Sequence, residues 1–544
     1  MAGGGIAWGR RCGKVAMACH VIVAAVCLLA TCIEMSDAAA VVDVYRMIQY
    51  DLNGSPFGSR RAALNQHASA GLQIPGSDLA RAVIVMPINK IDMDLINAGE
   101  EGGGVNLLVD EIKEIEILDG FNQSSVPVYF AFEDDNLAVL YRSVRATELA
   151  GRPVTATTGG YKVQVLAAQD PKKVPSPTIT NIHGWIPGAN PDGTPVMRTI
   201  AVVASYDTFG MAPALSFGSD SNGSGVVALL ELARLFSRLY ARARMLGTYN
   251  LLFVLTSGGP YDYEGTKQWL MSFEKNFPHL MESVEFALCL NTIGSRGRNL
   301  YLHSSKPPTD PSIKQIYETF GQVASESSAT VELVHKKINV SSPRVAWEHE
   351  QFSRRRIVAA TLSAIPSAPG LLEHAGGMAD QRAAVNVTLL ARRIKLIAET
   401  IARHVYGYKG KPIDVFADGS TLEVSESFVE HWLDLLSRTP RVIPFMPRKA
   451  PIISALEQSL TESISHVSSQ TLNFDGGFTF YEIEGGRLHI YQVASVAFDL
   501  LIMLAIGTYL ALLFFVLHIS TKGLDDLVGV FRRAPTTRKV SKVA

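Results

Sequence analysis

Between residues 199 and 294, three unbroken apolar runs of strand length alternate with segments of helical spacing. The runs are "TIAVVASYD" (199–207), "NLLFVLTS" (250–257) and "EFALCLNTIG" (285–294). Between the first two lies "NGSGVVALLELARLFSRLYARAR" (222–244), in which Val226, Leu229, Leu230, Ala233 and Phe236 recur at helical intervals and Leu239 and Tyr240 continue them. Between the last two lies "EGTKQWLMSFEKNF" (264–277), also helical. A strand that is apolar on both faces can expose neither face to water. Helical crossovers cover both, which is the logic of a mainly parallel sheet. "IVAATLSAI" (357–365) reads as a fourth strand and "VTLLARRIKLIAETIARHVYG" (387–407) as another packing helix. The expected fold class is therefore α/β, with a mainly parallel sheet covered by helices over residues 171–410.

Other segments flank this unit. Residues 41–170 mix strand-length apolar runs such as "ARAVIVMPI" and "VPVYFAF" with the helical "DDNLAVLYRSV", and suggest a smaller N-terminal α/β unit. "QDPKKVPSPTITNIHGWIPGANPDGTP" (169–195) is dense in Pro, Gly and Asn and reads as the boundary loop. Residues 411–490 hold two amphipathic helices and "FTFYEIEGGRLHIYQ", which has the form of a hairpin turning at Gly485 and Gly486. This stretch is expected to link the sheet unit to a membrane segment.

That segment is "LLIMLAIGTYLALLFFVL" (500–517), 18 residues without a charge. At ~1.5 Å per residue it covers about 27 Å, close to the hydrocarbon thickness of a bilayer. A single C-terminal transmembrane helix over 496–519 is expected, with Asp499 at its edge. The tail 520–544 carries Lys522, Arg532, Arg533, Arg538, Lys539 and Lys542 against Asp525 and Asp526, which places it in the cytosol by the positive-inside rule. At the other end, "VAMACHVIVAAVCLLATC" (15–32) follows Arg10, Arg11 and Lys14 and precedes "SDAAA". These are the regions of a secretory signal peptide over residues 1–40, cleaved near 38–40; an uncleaved anchor is the alternative. Of five cysteines, only Cys289 lies beyond the signal segment, in an apolar run where a small core residue is expected. Sequons for N-glycosylation begin at Asn53, Asn122, Asn222, Asn339 and Asn386. A formal net charge of −1 gives no basic field for nucleic acid.

The chemistry centres on "ASYDTFGMAPALSFGSDSNGSG" (204–225), an acid after a strand and a second acid in a Gly-rich turn. Region 199–300 resembles the co-catalytic zinc aminopeptidase and glutamate carboxypeptidase family. That family sets a His-x-Asp, a bridging Asp, a Glu-Glu pair and another Asp at successive strand ends, with a late His. Two zinc ions held there activate a water whose proton a Glu shuttles. Residue by residue, the ligand His falls on Ser205, although Asp207 and the bridging Asp220 are kept. The Glu-Glu pair falls on Gly259 and Pro260, with Gly265-Thr266 fixing the register. The next Asp falls on Asn291, and His374 stands several residues early for Asp380. A hydroxyl, a glycine, a proline and an amide cannot replace these ligands, so no metal and no cofactor is expected.

"DSNGSGVVALLELARLFSRLY", "YNLLF", "SKPP" and "AWEHEQF" resemble, more narrowly, the nicalin family, relatives of nicastrin. The resemblance implies a zinc-peptidase-like fold without peptidase activity, in the endoplasmic reticulum membrane. It also implies a complex with the Nodal modulator protein and a small multi-spanning membrane protein. That complex adjoins the Sec translocon and its ribosome and assists insertion of multi-pass proteins. Nicastrin-like gating of a membrane protease and a residual metallopeptidase are the alternatives.

For Asp207 and Asp220 the structural reading outweighs a surviving metal site: Asp220 capping the following helix and Asp207 paired with a nearby donor. His349 in "WEHEQF" lacks a second His and reads as part of a polar network or a partner contact. "GSDSNGSG" is neither a phosphate loop nor a nucleophile elbow, so Ser224 is not a nucleophile. "SRRRI" (353–357) reads as a solvated or salt-bridged edge. The tail's charges read first as solvated topogenic charge, with contact to anionic lipid headgroups or ribosomal RNA as the alternative.

Overall fold

A computed structural model describes residues 40–69, 82–87, 104–109, 123–124, 126–132, 134–150, 160–165, 171–189, 197–242, 245–295, 297, 299–327, 329–408, 414–474, 476–483, 485–493 and 496–522. The signal segment, Asn122 and the tail beyond Lys522 lie outside the described residues.

The large unit is an eight-stranded sheet in the order Thr330–His335, Asn299–Ser304, Ala359–Ser363, Val284–Leu290, Thr199–Ser205, Asn250–Thr256, Thr178–Ile186, His466–Asn473. Its centre is parallel: Thr199–Ser205 pairs in parallel with Asn250–Thr256 on one side and Val284–Leu290 on the other. Thr178–Ile186 and His466–Asn473 add antiparallel at one side, and Asn299–Ser304 meets Ala359–Ser363 antiparallel, so the sheet is mixed. Every residue of Thr199–Ser205 is buried, as its composition requires. Helices Gly223–Tyr240 and Val387–Val405 cover one face through Val226, Leu230, Ile394 and Ile397. Helix Glu264–Asn276 covers the other with Trp269, Leu270 and Phe273, against Cys289, which is the small core residue its sequence context predicts.

The smaller unit is a closed barrel ordered Ala40–Arg46, Gly486–Val493, Gly160–Val165, Leu64–Ser69, Ala82–Pro87, Gly104–Val109, Val128–Phe132. Alternation fills it: Val42, Val44, Val163, Val165, Leu488 and Ile490 point inward, and helix Asp135–Leu149 adds Leu137, Leu140 and Val144.

Residues 411–490 are not a separate linker. Phe416, Val429, Leu433 and Leu456 belong to the large core, and His466–Asn473 completes its sheet. The expected hairpin does not form. Phe478–Phe480 pairs with Gln49–Leu52, whereas Gly486–Val493 pairs with Ala40–Arg46 and Gly160–Val165. The Gly485-Gly486 turn thus redirects the chain between two sheets, because the aromatic strand is better buried among Tyr50, Phe209 and Tyr261. Helix Val496–Lys522 comes next, with a mean hydropathy of 2.7 over Leu500–His518 and none of that window buried in the protein. It is long and apolar enough to cross a bilayer once, and with the large globular part it supports a single-pass membrane protein.

Candidate functional site

Parallel pairing aligns Ser205 with Thr256 and Ala204 with Leu290, so the loops leaving these strands converge at one edge of the sheet. Asp207, Gly259, Pro260 and Asn291 all lie on those loops. Ser205 Oγ donates to Asp207 Oδ1 at 3.1 Å, and the Gly259 amide donates to the same oxygen at 3.1 Å. Asp207 is fully buried, and its Oδ2 has no hydrogen-bond partner among the described residues. Burial pushes its carboxyl up to about 7, partly opposed by these two donors.

Gly259 occupies the space of the first expected Glu. A Cβ placed there would lie 2.0 Å from Ser205 Oγ and 2.8 Å from Ser205 Cβ. No side chain fits at 259 while Ser205 keeps its place. Asn291 turns its Oδ1 to the hydroxyls of Thr292 (3.0 Å) and Ser363 (3.3 Å). The donor set does not fit zinc: an alcohol, an amide already engaged, a glycine and a proline stand where imidazole and carboxylates are needed. Among the described residues no cluster of three or more His, Cys, Asp or Glu could hold a metal ion.

Asp220 does not cap its helix as expected. Its Oδ1 accepts the Gly294 amide at 2.6 Å, which ties the Gly-rich turn to the loop after Val284–Leu290. The amides of Asp220 and Ser221 instead donate to the two oxygens of Asp380, at 2.8 and 2.7 Å. Burial, with the nearby Asp380 carboxylate, pushes Asp220 up to about 6. Ser224 Oγ donates to the Asp220 carbonyl at 2.6 Å and accepts the Ile293 amide at 3.0 Å, a structural part for a hydroxyl that is no nucleophile.

Two buried arginines, neither of them among the residues expected from the sequence, hold these loops. Arg441 donates to the carbonyls of Tyr206 (2.6 Å), Leu436 (2.6 Å), Thr439 (3.1 Å) and Gly218 (3.2 Å). Its charge faces Asp207 and Asp380. Arg393 donates to Ile293 O (2.7 Å), Ser295 O (2.9 Å) and Gly297 O, and its charge faces Asp220. The available signal was an Arg set in the apolar "RVIPF" and another in the buried stripe of Val387–Val405.

His374 has a φ of 50° and lies 3.6 Å from Glu373. With Asn222, Gly259, Pro260, Tyr263 and Asn291 it lines a cleft of only about 30 Å³, room for about one water. A neighbouring cavity of about 630 Å³ opens between Tyr50, Phe57 and Phe209 on one wall and the 371–380 loop on the other. His349 belongs to neither. Its Nδ1 meets the Thr361 hydroxyl at 2.9 Å, and burial pushes its ring down to about 3. Beside it, Glu348 Oε1 accepts the hydroxyls of Thr256 and Thr266, both at 2.7 Å, and burial pushes the carboxyl up to about 7. The polar network expected for "WEHEQF" is present. In "SRRRI", Arg354 holds the Ser342 and Arg344 carbonyls and Arg355 pairs with Glu274. Among the sequons, Asn53, Asn339 and Asn386 are exposed, whereas Asn222 is buried at the helix start.

The profile of the family described as "Nicastrin large lobe" matches residues 198–365. A protein of Danio rerio named "BOS complex subunit ncln" is 35% identical over 559 residues, covering 94% of this chain and 95% of its own. The Canis lupus familiaris "BOS complex subunit NCLN" is 34% identical over 524 residues, covering 89% and 90%. Among solved structures, the crystal structure of the gamma-secretase component Nicastrin superposes with a TM-score of 0.60 at 10% identity, over 82% of this chain and 99% of that one.

Proposed function

Because the chain belongs to the nicalin family, whose relatives are named BOS complex subunit NCLN, we propose that it is a non-catalytic scaffold subunit of an endoplasmic reticulum membrane complex. In this reading the globular part is lumenal, helix Val496–Lys522 crosses the bilayer once in type I orientation, and the basic tail is cytosolic. The partners are the Nodal modulator protein and a small multi-spanning membrane protein. The assembly associates with the Sec translocon and its ribosome and assists insertion of multi-pass membrane proteins.

One observation carries the reading: the likeness to the Danio rerio complex subunit runs over 94% of the chain, far beyond the sheet unit alone. The donor set at 205, 259, 260 and 291 opposes peptidase chemistry. The Gly259 backbone, pressed against Ser205, leaves no place for the carboxylate that hydrolysis would need.

Purification of the full chain in mild detergent, with identification of co-purifying proteins, tests the proposal. Translocon components and the two named partners are the expected result. Recovery of a presenilin-type protease in their stead would overturn it in favour of substrate gating. Stoichiometric zinc together with aminoacyl-substrate hydrolysis lost on Asp220→Ala would overturn the non-catalytic reading.

A further inference from the structure

Strand Gly486–Val493 is hydrogen-bonded on both sides and remains paired to its last residue, Val493 opposite Gly160. Helix Val496–Lys522 begins three positions later. Three extended residues of at most ~3.6 Å and one helical turn of ~6 Å leave Val493 no more than about 17 Å from the apolar stretch that starts at Leu500. The headgroup layer takes up roughly 5–8 Å of that distance on each side of a bilayer. The barrel therefore has no free tether, and this end of it stands at the membrane surface.

Ala40 pairs with Ile490, so the chain also enters the barrel at this end, while Arg487, opposite Asp43, lies further up the wall. Because Val42, Leu488, Ile490, Val163 and Val165 point inward, Val41, His489, Tyr491, Val493 and Lys162 fall on the outer wall. Tyr491 and Lys162 are direct cross-strand partners there, and Val41 is 47% exposed. An aromatic ring, aliphatic side chains and a long cation together suit the bilayer interface, where Tyr anchors and Lys snorkels to phosphate.

We propose that this outer wall of the barrel, centred on Tyr491 and Lys162, docks on the lipid headgroup layer and fixes the globular part against the membrane. The proposal rests on reading Leu500–His518 as a span and not on the translocon role. If the full chain does not enter nanodiscs, the span reading fails first.

The test uses full-length protein in phosphatidylcholine nanodiscs. A nitroxide is attached at Lys162→Cys or Arg487→Cys, and the unsubstituted protein serves to subtract its native cysteines. Position 487 lies about 20 Å further up the strand than Val493. Oxygen is concentrated in the bilayer and a nickel chelate stays in water. The ratio of oxygen-driven to chelate-driven relaxation should be at least twofold higher for the label at 162, set against the headgroups, than for the label at 487, set in water. Equal, chelate-dominated relaxation at both sites would overturn the proposal. Shielding of 162 from both relaxants would overturn it too, since a protein would then cover the wall. The pair Tyr491→Ala and Tyr491→Trp adds a second readout: the label at 162 should become more chelate-accessible in the first and not in the second.

Discussion

Gly259 and Ser205 are in such close contact that a single methyl group on the former would sit 2.0 Å from the hydroxyl oxygen of the latter. Ser205 in its place therefore excludes the carboxylate side chain that zinc chemistry would need at 259. Gly259→Ala should lower stability by about 1–3 kcal/mol through overpacking. In the double variant Ser205→Gly/Gly259→Ala, the loss should be smaller than the sum of the two single losses, since the clash is removed. Thermal unfolding of the four proteins in detergent checks this, and strict additivity would contradict it.

Arg441 is one of the two buried arginines that hold this site. Arg441→Met should cost about 3–5 kcal/mol, because it removes the guanidinium hydrogen bonds to the Tyr206, Leu436, Thr439 and Gly218 carbonyls and leaves Asp207 without a facing charge. Arg441→Lys should recover less than half of that, since an ammonium cannot reach carbonyls spread across the fork of a guanidinium. Urea unfolding of the variants measures both.

The central strands and their helices were legible because an apolar strand and a 3.6-residue stripe are local signals. The identities at 205, 259, 260 and 291 were equally legible, since the resemblance assigns them one by one. The destination of 411–490 was not. Whether "FTFYE" pairs with "RLHIYQ" or with the distant Gln49–Leu52 depends on where its aromatic rings find a partner, and Tyr50 lies more than four hundred residues away in sequence. Nor did the spacing show that Asp220 would leave the helix start uncapped and that Asp380 would hold the amides of Asp220 and Ser221 in the turn before helix Gly223–Tyr240. That pairing is made across the fold.

Glu348 predicts a pH effect. Its folded pKa of about 7 lies above the ordinary carboxylate value, so between about pH 4 and 7 the folded state binds the extra proton. Stability from this group is present at low pH and is lost as pH rises to about 7. Glu348→Gln keeps an oxygen for the Thr256 and Thr266 hydroxyls and cannot ionise. Its stability relative to wild type should increase from pH 5 to pH 8, by about 1–3 kcal/mol. The difference isolates Glu348 from His183 and His349, whose lowered pKa values act in the opposite direction. A flat difference between the two proteins across this range would refute the assignment.

Asn386 caps a helix and is proposed to carry a glycan as well. It is exposed within a sequon, and its side chain caps helix Val387–Val405, accepting the Leu389 amide at 2.9 Å. The cap uses Oδ1, so Nδ2 remains for a glycan in a lumenal chain. Asn386→Gln should remove both, giving faster gel migration together with a loss of about 1 kcal/mol. Thr388→Ala should remove the glycan alone, with the same gel shift and a change in stability several-fold smaller. Expression in a secretory host, with glycosidase treatment and thermal unfolding, checks each part. If neither variant shifts on the gel while Asn386→Gln is still destabilised, Asn386 serves the helix alone, and the proposed lumenal placement of this face gains no support from glycosylation.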